Sequence, residues 1–260
     1  MFIAYLLSLI FEDKIIKLKY KQKLILFILA VIVSMCKLVY LPLIFLVLLI
    51  PTEKFKSRKT SYIYKVGMIL ICTTIAISIF IFSMNFPGAS REGSDSGIQF
   101  KNVLTNPIQY ASTLLSSMNQ NGTWYFETLF GSHLSWNEDI PLYFIVPYAL
   151  CALTTMSSVL DNSIKEKLNK KQKHTILYII LLSIVLIFSS MYIAWTRTES
   201  SLIEGVQGRY FLPLMPLILL LIGSIPIKSY VKEETMIRLI GIIGTIMQVY
   251  VIMSIVIRQL

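Results

Sequence analysis

The chain has 260 residues, 55% of them hydrophobic and only 15% charged, and its 24 Lys and Arg outnumber 14 Asp and Glu for a formal charge of +10. Ordinary globular domains carry about a quarter charged residues, so the composition argues against a typical soluble enzyme. An evenly spread positive excess would suggest nucleic acid, but these charges lie between long apolar blocks, and no nucleic-acid partner is expected.

In chain order, Met1–Phe11 is apolar but too short to cross a bilayer. The stretch 24–50 is apolar but interrupted by Lys37 and Pro42. Full spans are predicted at about 66–86, 140–160, 175–195, 210–226 and 238–257, since about 20 helical residues cross a hydrocarbon core of roughly 30 Å. The expected fold is all-α: a single integral-membrane domain over 1–260, built as a polytopic helical bundle. It carries one short-helix hairpin, and one long external loop (87–139) with juxtamembrane amphipathic helices.

Charge sets the orientation. Segments 12–23, 52–65, 161–174 and 227–238 are each net positive and hold 18 of the 24 basic residues. The positive-inside rule places them in the cytoplasm. Segment 87–139 is net −3 and segment 196–209 is neutral, so both belong outside, and the protein is expected in the plasma membrane. Because 12–23 and 52–65 are both cytoplasmic, 24–50 reads as two short helices, 24–36 and 38–50, folded back at Lys37. The alternative is one long tilted span with Lys37 snorkelling to the interface. The same parity puts Met1 outside, part-way through an apolar run, so the chain is expected to be the C-terminal part of a larger domain.

Cys36, Cys72 and Cys151 lie in apolar spans and read as packing residues. No His and Cys spacing suits a metal, no phosphate-binding Gly-rich loop occurs, and no cofactor is expected.

Within the external loop, the Gly, Ser and Pro content up to Gly97 predicts an irregular start. Asn106-Pro107 predicts a helix start, and Ile108, Ala111, Leu114, Leu115 and Met118 an apolar face. Asn121-Gly122 predicts a turn, followed by a short aromatic helix through Trp124, Tyr125, Phe126, Leu129 and Phe130, closed by Gly131. Such segments suit an interfacial roof over a cavity, though an aromatic belt that only anchors a loop has the same pattern. The sequon Asn121-Gly-Thr123 reads as part of the turn. Glu127, His133, Trp136, Glu138 and Asp139 lie near this roof. Glu127, His133 and Asp139 are weak candidates for acid–base work, with incidental structural roles as the competing reading.

The last external loop carries the strongest motif, Gly205-Val-Gln-Gly-Arg-Tyr-Phe-Leu-Pro-Leu-Met-Pro216. Arg209 stands where the loop enters an apolar helix kinked at Pro213 and Pro216. A guidanine there can hold a phosphate in bidentate fashion; it can equally be a snorkelling arginine beside Tyr210.

This motif resembles that of a bacterial membrane family catalogued as domain of unknown function 2142, and Lys37-Leu-Val-Tyr-Leu-Pro-Leu43 and Trp124-Tyr-Phe-Glu-Thr-Leu-Phe-Gly-Ser-His-Leu-Ser-Trp136 are similar to it in the same order. The family in turn is similar to type C glycosyltransferases, multi-pass enzymes that take a sugar from a polyprenyl-phosphate lipid on the outer face. The resemblance implies that Lys37 and Arg209 bind the lipid phosphate. Glu204, Gln207, Tyr210, Trp124 and Trp136 then face the substrate cavity. Type C enzymes carry their catalytic carboxylate in the first external loop, after the first span, which this chain does not match, so the chain is expected to lack it.

The leading expectation is therefore a membrane glycosyltransferase, or part of one, moving a sugar from a polyprenyl-phosphate lipid to a glycan acceptor. Its partners are that lipid-linked sugar, membrane lipids and the acceptor. The alternatives are a flippase for lipid-linked envelope precursors, which the near absence of ionisable groups inside the spans disfavours, and a non-catalytic scaffold.

Overall fold

The computed structural model describes residues 1–12, 17–84, 91–130, 133–135, 138–139, 145–160, 168–225 and 233–259. The protein is all-α, as its composition requires. In a hydrocarbon medium each backbone N–H and C=O must find its partner inside the segment, and a helix achieves this. Among the described residues, three helices are long and apolar enough to cross a membrane: Arg58–Phe82, Lys170–Ala194 and Glu234–Met253. Two compact units are distinguished, Met1–Ser90 with Asn169–Ser190, and Arg91–Leu168 with Met191–Leu260.

The first unit contains α1 (Phe2–Phe11), α2 (Tyr20–Cys36), a 3-10 helix (Leu38–Leu49), α3 (Arg58–Met84) and most of α7 (Lys170–Ala194). Its core includes Leu6, Leu26, Ile44, Leu46, Met68 and Ile176. The chain breaks at Lys37, which is extended (φ −158°, ψ 138°) and exposed. On either side of it, α2 and the 3-10 helix pack on each other and on α3.

The arms are longer than their sequence suggests. The 17 residues of α2 span about 26 Å at the α-helical rise. The 12 residues of the 3-10 helix reach about 24 Å, because a 3-10 turn rises about 2.0 Å per residue. Cys72 is buried, whereas Cys36, expected to pack, is exposed at the end of α2.

Two lysines counted above as orientation signals also close helix ends. Lys54 Nζ donates to the carbonyls of Leu9 (2.7 Å), Ile10 (3.0 Å) and Glu12 (3.1 Å) at the end of α1. Lys65, buried near the start of α3, donates to Leu48 (3.3 Å) and Ile50 (2.5 Å) at the end of the 3-10 helix. The last carbonyls of a helix lack intrahelical donors and carry partial negative charge, so an ammonium is a fitting cap. Phe55 lies between two such cations, with Lys23 and Lys65 Nζ each 5.7 Å from its ring centroid.

The second unit contains α4 (Ser96–Thr105), α5 (Pro107–Leu129), a small antiparallel pair β1 (His133–Ser135) and β2 (Glu138–Asp139), α6 (Ile145–Leu160), a 3-10 helix (Gly208–Leu214), α8 (Met215–Gly223) and α9 (Glu233–Gln259). Helix α4 begins at the end of the stretch predicted to be irregular and fills 98–105, for which the sequence carried no expectation; Asp95 caps it by accepting from Gly97 N (2.8 Å) and Ile98 N (3.0 Å). Pro107 opens α5 as expected. The predicted turn at Asn121-Gly122 does not form: α5 runs unbroken to Leu129, so the sequon lies inside a helix.

The predicted apolar face of α5 divides between exposed and buried positions. Ile108 is 86% and Leu115 65% exposed, while Leu114, Ser117 and Tyr125 are buried. Proline punctuates the last apolar segment: Pro213 sits in the 3-10 helix, and Pro216 in the first turn of α8, where its missing N–H costs nothing.

Candidate functional site

The site is built on the irregular segment 195–207, which joins the end of α7 to the 3-10 helix Gly208–Leu214. Such a segment exposes backbone groups that need partners, and polar side chains of α4 and α5 supply several of them. Ser117 Oγ accepts from Ile203 N (2.8 Å), and Thr128 Oγ1 from Gly208 N (2.8 Å). Gln99 Nε2 donates to the carbonyls of Thr196 (3.3 Å) and Arg197 (3.2 Å). Thr196 Oγ1 accepts from Glu204 N at 3.1 Å, closing the segment on itself. The face of α5 that carries Ser117, Asn121, Tyr125 and Thr128 therefore serves as the template for this segment.

Two glycines make the close approach possible. Gly205 has φ +80°, and the indole of Trp195 and the Met191 methyl occupy the space a Cβ would take. At Gly208 a Cβ would collide with backbone of α5, at the carbonyl of Tyr125 and the amide of Leu129. The helix thus lies directly on the motif's backbone.

Glu204 is the electrostatic centre of the segment. Its carboxylate is gripped by Arg197, with Nη2 at 2.7 Å and Nε at 3.2 and 3.3 Å, and receives Arg91 Nη1 at 3.0 Å. The hydrogen bonds from Arg197, reinforced by the charge of Arg91, hold its carboxyl below the ordinary glutamate value. A carboxylate so occupied stays ionised and makes a poor proton acceptor. Arg91 comes from the start of α4's approach, 113 residues away in sequence; nothing local in the sequence announces this pairing.

A cleft of about 420 Å³ opens over the segment, lined by Ser200 to Gln207 on one side and by Asn121, Trp124 and Tyr125 of α5 on the other. Burial pushes the Tyr125 phenol up, outweighing its hydrogen bond with Asn121, and its ring lies 6.4 Å from that of Phe211. Of the residues expected at a cavity, Glu204, Gln207 and Trp124 line this cleft. Tyr210 does not; it sits under Arg209, whose guanidinium carbon is 5.9 Å from the ring centroid. Asn121 was expected in a turn and Tyr125 in the interfacial roof, and Ser200 and Ser201 were not singled out; Asn121 and Tyr125 share a helical face with Ser117 and Thr128.

Arg209 is exposed at the first turn of the apolar stretch 208–223, and among the described residues it has no carboxylate within ion-pair distance. Lys37 stands in the other unit, at the helix break. Glu127 is half-buried in the last turn of α5, away from the cleft lining. Trp136 lies outside the described residues, as do the side chains of His133, Glu138 and Asp139. No group of three or more His, Cys, Asp or Glu capable of holding a metal occurs among the described residues.

No curated protein and no solved structure matches the chain significantly. The family described as "predicted membrane protein", domain of unknown function 2142, matches residues 1–218. That match takes in the Lys37 break, the α5 template, the clamped loop and Arg209, and the chain belongs to this family.

Proposed function

We propose that this membrane protein is a glycosyltransferase, or part of one, that takes a sugar from a polyprenyl-phosphate lipid at the outer face of the plasma membrane and passes it to a cell-surface glycan. In this reading the basic segments are cytoplasmic and 87–139 is extracytoplasmic. The observation that carries it is the placement of Arg209: exposed, two residues beyond the cleft-lining Gln207, at the entrance of an apolar helical stretch. A lipid phosphate at headgroup depth meets that guanidinium while its sugar reaches the cleft. The resemblance of the Gly205–Pro216 motif to type C enzymes supports the same assignment.

The chemistry is an attack by an acceptor hydroxyl on the anomeric carbon. The bond from that carbon to the phosphate oxygen breaks, and the lipid phosphate departs with the electron pair. Arg209 stabilises the charge that develops on it. The acceptor's proton goes to a general base, for which Glu127, His133 and Asp139 are the candidates on this chain; Glu204 is occupied by its two arginines. Lys37 is a separate candidate for phosphate binding, tested by its own substitution.

The test uses the protein reconstituted in nanodiscs with radiolabelled polyprenyl phosphate, and transfer to glycan by the protein in cells. Arg209→Ala is expected to reduce both by at least about tenfold, since a charge-assisted bidentate contact contributes about 1.5–3 kcal/mol. Arg209→Lys recovers only part of it, because an ammonium lacks the planar fork. Unchanged lipid binding and transfer in Arg209→Ala sinks the assignment.

A further inference from the structure

The cleft has a chemical character that the phosphate assignment leaves unused. None of its lining residues is cationic, and its one carboxylate, Glu204, is already held by Arg197 and Arg91. An anionic ligand finds no counter-charge in the wall, and a cationic ligand has to compete with two guanidiniums. The rest of the polar lining is neutral: the amides of Asn121 and Gln207 and the hydroxyls of Ser200 and Ser201. Amides and hydroxyls each donate and accept, which matches a ligand whose own groups do both. Among the described residues the Gln207 side chain takes no hydrogen-bond partner, so its donor pair and its acceptor are available.

The apolar part of the wall is contributed by Trp124, Tyr125, Leu202, Ile203 and Val206. Trp124 lines the cleft and is 40% exposed, and an indole ring packs well against C–H bonds. An isoprenoid tail calls for a continuous aliphatic wall, and this lining alternates apolar with polar groups. The volume of 420 Å³ falls at the lower end of the range of about 300–1,000 Å³ for small-molecule sites. A compact neutral polyol with one apolar face meets all of these conditions.

We propose that the cleft binds an uncharged sugar unit, stacked on Trp124 and hydrogen-bonded by Gln207 and Asn121, and discriminates against acidic and amino sugars. The proposal rests on the reading of the chain as acting on a lipid-linked sugar and narrows the sugar to a neutral one. Its determinants are a wall without a lining cation, its one carboxylate already held by two guanidiniums, and the exposed indole.

Saturation-transfer NMR on the full chain in nanodiscs tests it, with free glucose, galactose and mannose as probes and glucuronate and glucosamine as charged counterparts. At least one neutral hexose is expected to give a saturable signal at millimolar concentration, with the charged sugars at least about tenfold weaker. Trp124→Ala is expected to weaken binding about tenfold, and Gln207→Ala about fivefold. Ser201→Phe, at an exposed position, fills the cleft from its rim and abolishes the signal without disturbing the core. The proposal is overturned if no neutral sugar gives a saturable signal, if the signal survives in both Trp124→Ala and Ser201→Phe, or if glucuronate binds as tightly. Binding of polyprenyl phosphate without any sugar signal refutes the cleft's assignment alone. A sugar signal without polyprenyl phosphate binding refutes the lipid reading and leaves the cleft standing.

Discussion

The same substitution, glycine to alanine, should have opposite effects at two positions 86 residues apart. At Gly208 a Cβ is driven into the carbonyl of Tyr125 and the amide of Leu129. These are backbone atoms of a helix and cannot rotate away, so relief requires α5 to move as a unit. It would then loosen the Thr128 bond to Gly208 N, now 2.8 Å. Overpacking costs about 1–3 kcal/mol, and a backbone collision belongs at the upper end. At about 2–4 °C per kcal/mol for a chain of this size, Tm should fall by about 6–12 °C. At Gly122, by contrast, a Cβ meets nothing within 4 Å, and the residue is inside α5. Alanine there removes unfolded-state freedom and favours the helix by about 0.4–1 kcal/mol, raising Tm by a few degrees. Intrinsic-fluorescence melts of both variants in one detergent make the comparison. Loss of stability in Gly122→Ala would indicate a turn at Asn121-Gly122 and refute the continuous helix. A neutral Gly208→Ala would refute the contact between α5 and the motif.

The other consequences concern charge. The folded-state pKa of Glu204 lies below its ordinary value of 4.5, so the clamp's contribution is complete above that value and is lost as pH falls through the folded-state pKa. Glu204→Gln should therefore cost about 1 kcal/mol at neutral pH and flatten the acid side of a Tm-against-pH series; an unchanged acid limb refutes the clamp. Lys65→Met keeps the apolar stem but removes the donor to the Leu48 and Ile50 carbonyls. It should cost about 1.5–3 kcal/mol and speed amide exchange in the last turn of the 3-10 helix, whereas unchanged exchange there refutes the cap.

Apolar blocks and their spacing were legible because hydrocarbon imposes a simple condition, that backbone groups be satisfied within each segment. Helices α3, α7 and α9 follow from that condition alone, although each begins five to eight residues earlier than its apolar run, where polar residues, basic in α3 and α7 and acidic in α9, continue the helix. The break at Lys37 was legible for a related reason, since a cation amid apolar residues marks where a segment ends. The interior of the long loop was less so. Asn121-Gly122 is a turn signal by local preference, but glycine's helix penalty is only about 1 kcal/mol. Packing of Tyr125 and Leu129 against Gly208 outweighs it. The apolar stripe through Ile108 and Leu115 is largely exposed while Leu114 beside it is buried, because periodicity identifies a face without saying what covers it.

By itself the sequence determined an all-α membrane protein, with its apolar helices and the two stretches, around Lys37 and Gly205–Pro216, worth testing. The tertiary structure alone decided which groups meet. Arg91 joins Arg197 on Glu204, Lys54 and Lys65 close helices far from them in sequence, and α5 turns its polar face to segment 195–207. Apolar burial depends on summed local composition, which a sequence displays. Ion pairs, caps and clefts depend on approaches between remote segments at a scale of about 3 Å, and only the packed chain sets those distances.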